Sequence, residues 1–178
     1  MTFRITYGID PGLSGAIAAL FDGVPFLVYD MPTMARKSGK QEVSCAGIAH
    51  AIWEVNNYPG SVGTSQHAVI ELVGGNPIGG RKQGTTSMFN FGKSCGRIEG
   101  VIVGKGIPLV EVTPVVWKRH HGLVGADKDA SRGVVMRRWP EAAKWVTRKK
   151  DDGRADAILI AAWHHDTEQH ARAQRAQA

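Results

Sequence analysis

The sequence predicts an α/β protein, with one mixed five-stranded sheet and helices on both faces. Three observations carry that reading. From Phe3 to Met31 apolar and polar residues alternate between turn signals, the mark of antiparallel strands. His67 to Val73 is short, apolar and β-branched, as a buried strand of the parallel kind would be, and Ile107 to Val112 reads as another strand. After Asp152 the chain becomes apolar on nearly every side (Ala157-Ile158-Leu159-Ile160-Ala161-Ala162-Trp163), which describes a helix that has to be buried.

The elements follow in order. Phe3, Ile5, Tyr7 and Ile9 alternate with Arg4, Thr6, Gly8 and Asp10 to give the first strand. Pro11 and Gly12 turn the chain into a strand from Ser14 to Phe21, and Asp22-Gly23 is a hairpin signal leading to a third from Pro25 to Met31. Met34 to Gln41 reads as a loop. Val43, Ile48, Ile52 and Val55 mark a helix to about Asn56, stopped by Pro59 and Gly60. The glycines at 74, 75, 79, 80 and 84 make Gly74 to Gly84 a long loop. A helix capped by Thr85 or Thr86 is expected to run to about Lys105, with a short helical piece after Pro114. A further helix spans about Lys128 to Trp139 and ends at Pro140, and the last begins near Asp152. No repeat or linker divides the chain. Residues 1–166 therefore read as one domain and 167–178 as a tail, the fraying end of the last helix.

The chain has 178 residues and a net charge of +6, from 22 Lys and Arg against 16 Asp and Glu. That length suits one core, and the basic balance favours an anionic partner. The longest apolar run, Ala157 to Trp163, falls far short of the ~20 residues of a membrane span. Asp10 and Pro11 interrupt the place where a secretory signal would have its apolar centre. Cys45 and Cys95 define neither a disulfide framework nor a cysteine-built zinc site. A soluble intracellular protein with no membrane partner is expected.

Three acids sit where a stable core would not choose them. Asp10 ends the first strand, Glu71 interrupts the apolar run Ala68-Val69-Ile70-Glu71-Leu72-Val73, and Asp156 precedes the apolar turns of the last helix. A buried carboxylate costs several kcal/mol without compensation, and neighbouring carboxylates repel one another. A divalent cation such as Mg²⁺ removes both problems, because carboxylate oxygens and water hold it. Taken singly, each acid has a plainer use, Asp10 as a turn cap and the others as partners of an arginine. Their joint placement at element ends in a basic protein favours a shared metal site. Asp152, four residues before Asp156, shares its helix face or caps the helix, whereas Asp151 points well off that face.

These residues resemble the RuvC-type Holliday-junction resolvases of bacteria and phages, which have the ribonuclease H-like fold. The resemblance rests on Gly8-Ile9-Asp10-Pro11-Gly12 with Ser14-Gly15-Ala16, on Val69-Ile70-Glu71, and on Ser87-Met88-Phe89-Asn90-Phe91-Gly92. It continues in Thr113-Pro114 with Trp117-Lys118, in Lys128 with Ser131-Arg132, and in Gly153-Arg154-Ala155-Asp156-Ala157. It implies a four-acid site holding two Mg²⁺ ions (Mn²⁺ able to substitute), a homodimer, and paired symmetrical nicks in four-way or branched DNA. It also implies a cytoplasmic setting in a bacterial cell, host- or phage-encoded. Asp10, Glu71 and Asp156 match three of the acids. Bacterial members usually carry the remaining acid, or a His, three residues before the last Asp, where this chain has Gly153; Asp152 is the natural substitute, shifted by one.

Lys118, Lys128 and Arg154 are the expected contacts to the strand near those acids. Arg81, Lys82 and Gln83 in the glycine-rich loop are expected to follow phosphates, and Phe89, with Phe91 second, to stack on a base exposed at a branch. The alternative for both aromatics is an ordinary place in the core. Gly92, Gly96, Gly100 and Gly104 recur at every fourth position of one helix, a smooth stripe suited to packing on the protein's own sheet or to a dimer seam. Two other function classes compete. A sugar-kinase-like phosphotransferase shares Asp10-Pro11-Gly12 and Ser14-Gly15, but 178 residues leave no room for its second domain and no Gly-rich loop with Lys-Ser/Thr is present. A catalytically silent junction-binding module would gain nothing from acids facing phosphates. Another nuclease of the same fold, acting on a different nucleic acid, stays open.

Overall fold

The computed structural model describes residues 3–72, 84–127 and 129–177. Three antiparallel strands come first: β1 (Arg4–Asp10), β2 (Ala16–Phe21) and β3 (Val24–Asp30). The β2–β3 turn places Asp22 at φ 45° and Gly23 at φ 81°, the two left-handed positions that an Asp-Gly hairpin turn needs. The segment read as a loop is instead a small hairpin, β4 (Thr33–Ala35) with β5 (Gln41–Val43), paired from Thr33–Val43 to Ala35–Gln41. Its strands are three residues long and mostly exposed, so no alternation of apolar residues betrays it.

Helix α1 (Cys45–Asn56) follows, with Ser44 Oγ accepting from the Gly47 amide as its N-cap. Then come β6 (Ser65–Glu71), α2 (Thr85–Gly104), β7 (Leu109–Val112), α3 (Pro114–His120) and α4 (Ala130–Arg138). Two 3₁₀ turns, Pro140–Trp145 and Lys149–Asp151, lead into α5 (Asp152–Gln177), which runs unbroken through most of the segment read as a tail. No helix among the described residues is long and apolar enough to cross a membrane.

The sheet order is β3-β2-β1-β6-β7, with β1, β6 and β7 parallel and β2 and β3 antiparallel to their neighbours. The period of two then sorts the side chains. Ile5, Tyr7, Ile9, Ile17, Ala19, Ala68 and Ile70 face α1 and α2 in one core layer. Ala16, Ala18, Leu20 and Val69 face α5 and α4 in the other, which also buries Trp117. The polar half of β1 lies on the α5 side as well. At Gly8 strand and helix come so close that an added Cβ would sit 2.8 Å from Ala161 Cβ and collide with the Ala157 carbonyl. Towards the other end of β1, Arg4 pairs with Glu168 at 3.6 Å, beside His67, His164 and His165. His164 and His165 are buried rather than set on a surface.

Candidate active site

Asp10 and Glu71 are placed by the sheet itself. Parallel pairing of β1 with β6 sets Ile9 beside Ile70, so the next residue of each strand, Asp10 and Glu71, stands at the same edge and on the same face. That face is the one α5 covers. The helix runs antiparallel to β1, with Ala157 and Ala161 against Gly8, which brings Asp156 and Asp152 in its first turns to the Asp10 end. Four acids from three elements thus meet at one place.

Asp10 lies between glycines. Its Oδ1 accepts a 3.2 Å bond from the Gly12 amide. A Cβ at Gly15 would approach its carboxyl carbon to 2.8 Å, and one at Gly153 would approach Oδ2 to 3.1 Å. Gly153 therefore sits where any side chain would crowd Asp10, a packing reason for its lack of an acid. Burial, then the negative charges of Glu71, Asp156 and Asp152, push the Asp10 carboxyl up to about 7, against the Gly12 bond.

Glu71 is half-buried, and its Oε1 accepts a 2.9 Å bond from the indole Nε1 of Trp117, which is wholly buried. Burial raises its pKa; the Trp117 bond works against that and Asp156 adds to it. Asp156 is raised by burial too, opposed by the Ser131 hydroxyl and Lys118, and its Oδ1 is buried with no hydrogen-bond partner among the described residues. Asp152, Asp156, Lys118, Ser131 and Asp127 all line one cavity of about 190 Å³ between α3, α4 and α5. Among the described residues, no three His, Cys, Asp or Glu side chains are set closely enough together to hold a metal ion.

Asp151 and Asp152 part company. Asp151 is 2% exposed and is fastened by Arg148, through the backbone N at 2.8 Å and Nη2 at 2.7 Å, which holds its carboxyl below the usual range. It caps a 3₁₀ turn, while Asp152 faces the cavity. Arg154, expected as a strand contact, is engaged elsewhere: its Nη2 donates to Asp30 Oδ2 at 2.7 Å and its Nη1 to the Trp145 carbonyl at 3.3 Å. It fastens α5 to the edge strand β3. Lys118 reaches the cavity with its ammonium 5.2 Å from the Trp117 ring centre.

Phe89 is 70% exposed at the start of α2, so it is not a core residue, and Phe91 is half-buried. Arg81, Lys82, Gln83 and Lys128 lie outside the described residues. Sequence reasoning missed Trp117 as the partner of Glu71, Ser131 as the neighbour of Asp156, and Gly15 as part of the Asp10 cradle. All three belong to short motifs noted for their pattern, yet only the fold shows what each touches.

No protein-family model matches the chain. Over 72 residues it is 44% identical to the chloroplastic Holliday junction resolvase MOC1 of Chlamydomonas reinhardtii, a match that covers 39% of this chain and spans 8% of that protein's length. Two solved structures of Thermus thermophilus RuvC are similar along nearly the whole chain. One, in complex with a Holliday junction substrate, gives a TM-score of 0.56 at 14% identity and covers 93% of this chain and 96% of that one. The other gives 0.53 at 14% identity, covering 94% and 96%. The fold is that of RuvC.

Proposed function

We propose that this chain is a RuvC-type endonuclease that resolves four-way or branched DNA by metal-dependent phosphodiester hydrolysis. The observation that carries the reading is the meeting of Asp10, Glu71, Asp152 and Asp156 at the shared end of β1, β6 and α5. In a protein of net charge +6, four acids brought to the same end of the sheet favour a cation among them. The orphaned, buried Asp156 Oδ1 and the raised Asp10 carboxyl both fit a cation.

In this reading the four acids hold two Mg²⁺ ions, which Mn²⁺ can replace. When bound, such a pair supplies Lewis-acid stabilisation to the attacking and leaving oxygens of an in-line displacement. The remaining tasks fall to the chain. Trp117 fixes the Glu71 carboxylate through Oε1, and the Gly12 amide orients Asp10. Lys118, on the wall that Asp152 and Asp156 share, is placed to balance phosphate charge.

A homodimer belongs to the same proposal, because paired nicks on a two-fold junction suit a two-fold protein. Support comes from α2, where a Cβ added at Gly92, Gly96, Gly100 or Gly104 would meet no atom of the described residues within 4 Å. Among those residues the stripe does not pack on the protein's own sheet; it is an open, smooth face. Sedimentation at tens of micromolar is expected to give a dimer.

The test is incubation of protein and Mg²⁺ with labelled four-way junction, duplex and RNA–DNA hybrid. Paired symmetrical nicks in the junction are expected, with duplex and hybrid left largely intact. Binding without cleavage would mean a silent junction binder, and efficient cutting of the hybrid another nuclease of the fold. Asp156→Asn should bind the junction in chelator yet fail to cut it.

A further inference from the structure

We propose that Asp166 is a positioning residue for the nuclease site: it ties α3 and α4 to α5, so that Trp117 keeps its bond to Glu71 and Lys118 its place on the cavity wall. This role rests on the nuclease reading above and extends it to a residue remote from the acids. Asp166 lies ten residues beyond Asp156 on α5, about 15 Å further along at the ~1.5 Å rise of a helix.

The contacts form a continuous chain. Arg138, in the last turn of α4, grips Asp166 with both ends of its fork, Nη1 to Oδ2 and Nη2 to Oδ1, each at 2.7 Å. His120, the last residue of α3, brings Nε2 to 2.9 Å from Oδ2 of the same carboxylate. Burial opposes ionisation of Asp166, but the Arg138 bonds and then His120 outweigh it and hold the carboxyl below its ordinary range. An ionised carboxylate only accepts, so His120 Nε2 carries the proton. A second tie lies beside the first: His121 Nε2 is 2.8 Å from the Leu159 carbonyl of α5. The His121 ring is 4.7 Å from that of His120 and 6.5 Å from that of Trp117.

These three helices are the walls of the cavity beside the acids. Helix α3 gives Lys118, α4 gives Ser131, and α5 gives Asp152 and Asp156. Of the three, α3 has the least of its own to hold it. It is 7 residues long, and isolated helices below ~12–15 residues are marginal in water. Trp117 and His120, three apart, share one face of it, so a bond that stops His120 from rolling also sets the direction of the indole. That direction matters, because the Trp117 Nε1 to Glu71 Oε1 distance is 2.9 Å and N–H···O bonds extend only to ~3.2 Å. A roll that carries the indole off by a few tenths of an ångström breaks the bond. Apolar packing is non-directional and tolerates such a roll, whereas a forked ion pair does not.

The experiment uses the full chain. Without divalent cation, the Trp117 indole N–H is followed by ¹H–¹⁵N NMR, its signal assigned by its loss in Trp117→Phe. Asp166→Asn, which keeps the shape and removes the charge, is expected to shift that signal towards free indole and to speed its exchange with water about tenfold. With labelled four-way junction, Asp166→Asn should raise the Mg²⁺ concentration for half-maximal cleavage about threefold. In a Trp117→Phe background it should raise it no further, since the two changes act through one bond. Glu168→Gln is the control: it removes the same charge from the same helix, but its partner is Arg4 of β1, at 3.6 Å. It should leave the indole signal and the Mg²⁺ requirement as in wild type. The proposal is overturned if Asp166→Asn moves neither quantity, matches Glu168→Gln, or adds its full effect to Trp117→Phe. A wild type that cuts no junction, while its indole still responds to Asp166→Asn, overturns the nuclease reading and supports the tie. Should Asp166→Asn fold poorly, His120→Gln, at a side chain already partly exposed, carries the same two measurements.

Discussion

Gly8→Ala measures how closely α5 must sit on β1. The added methyl would lie 2.8 Å from Ala161 Cβ, against the 3.5–4.0 Å of ordinary carbon contact, and would also strike the backbone of Ala157 and Ala161. Backbone cannot swing aside as a side-chain tip can, so helix and strand must part by about 1 Å to restore that spacing. Overpacking of this kind costs up to ~3 kcal/mol, and the lost flexibility of the unfolded chain returns ~0.5–1, leaving a destabilisation of about 2 kcal/mol. The same displacement moves Asp156, the residue before Ala157, away from Asp10. A misplacement of that size at a reacting centre can lower the rate by ~10²-fold. Urea unfolding gives the first quantity, and junction cleavage at low temperature, where the variant stays folded, gives the second. The control is Gly133→Ala on α4, where the added methyl meets only the tip of the Arg137 side chain, at 3.4 Å, and should raise stability by up to ~1 kcal/mol. A Gly8→Ala midpoint equal to wild type would refute the argument, since it would mean that the contact yields without cost.

The remaining predictions concern charge and contact. In chelator, the advantage of wild type over Asp10→Asn should shrink as pH rises from about 4 to about 7. The native carboxyl, pushed up to about 7, holds a proton that the unfolded chain has already released, so its contribution is present at low pH and lost through that window. Asp151 and Asp166, held down by arginines, act in the opposite sense, so the difference between the two proteins is the quantity to follow; a difference constant with pH would refute the assignment. Phe89→Ala should unfold within ~0.5 kcal/mol of wild type, because the ring is exposed, yet cut junctions at least about tenfold more slowly. A plainly destabilised variant that cuts normally would end the stacking role. Trp117→Phe removes the only hydrogen bond given to Glu71 by a side chain among the described residues and should raise the Mg²⁺ concentration for half-maximal cleavage severalfold. An unchanged Mg²⁺ requirement would show that Glu71 holds its pose without the indole.

The alternation in β1 placed Asp10 at a strand end and the apolar run of β6 placed Glu71 within a strand, which the structure ends at Glu71 itself, because a buried sheet imposes its period on the sequence. The burial of α5 was legible for a similar reason: a helix apolar on every side has nowhere else to go. The β4–β5 hairpin left no such trace, since exposed strands three residues long bury almost nothing. Nor could the sequence choose between Asp151 and Asp152. Arg148, three residues before Asp151, folds back on it and takes up its carboxylate. The partner of Arg154 was further from view, for Asp30 lies 124 positions away and meets it only when α5 crosses the sheet edge. Trp117 likewise stood only in a short motif, which does not say that its N–H would end on a carboxylate from another strand. Long-range polar contacts of this kind depend on topology, and no local pattern encodes them.

The position of α5 in the chain also sets when the protein can first act. A ribosome makes β1 before and α5 after every other described element, so Asp10 waits for Asp152 and Asp156 until the rest of the sheet has been synthesised. Until then the face carrying Ala16, Ala18, Leu20 and Val69 has no helix to cover it and is a target for chaperones and proteases. A chain stopped before α5 therefore lacks both Asp152 and Asp156 and one layer of its core. Assembly of the four acids and closure of that layer are one event, so the proposed site comes into being only with the finished fold.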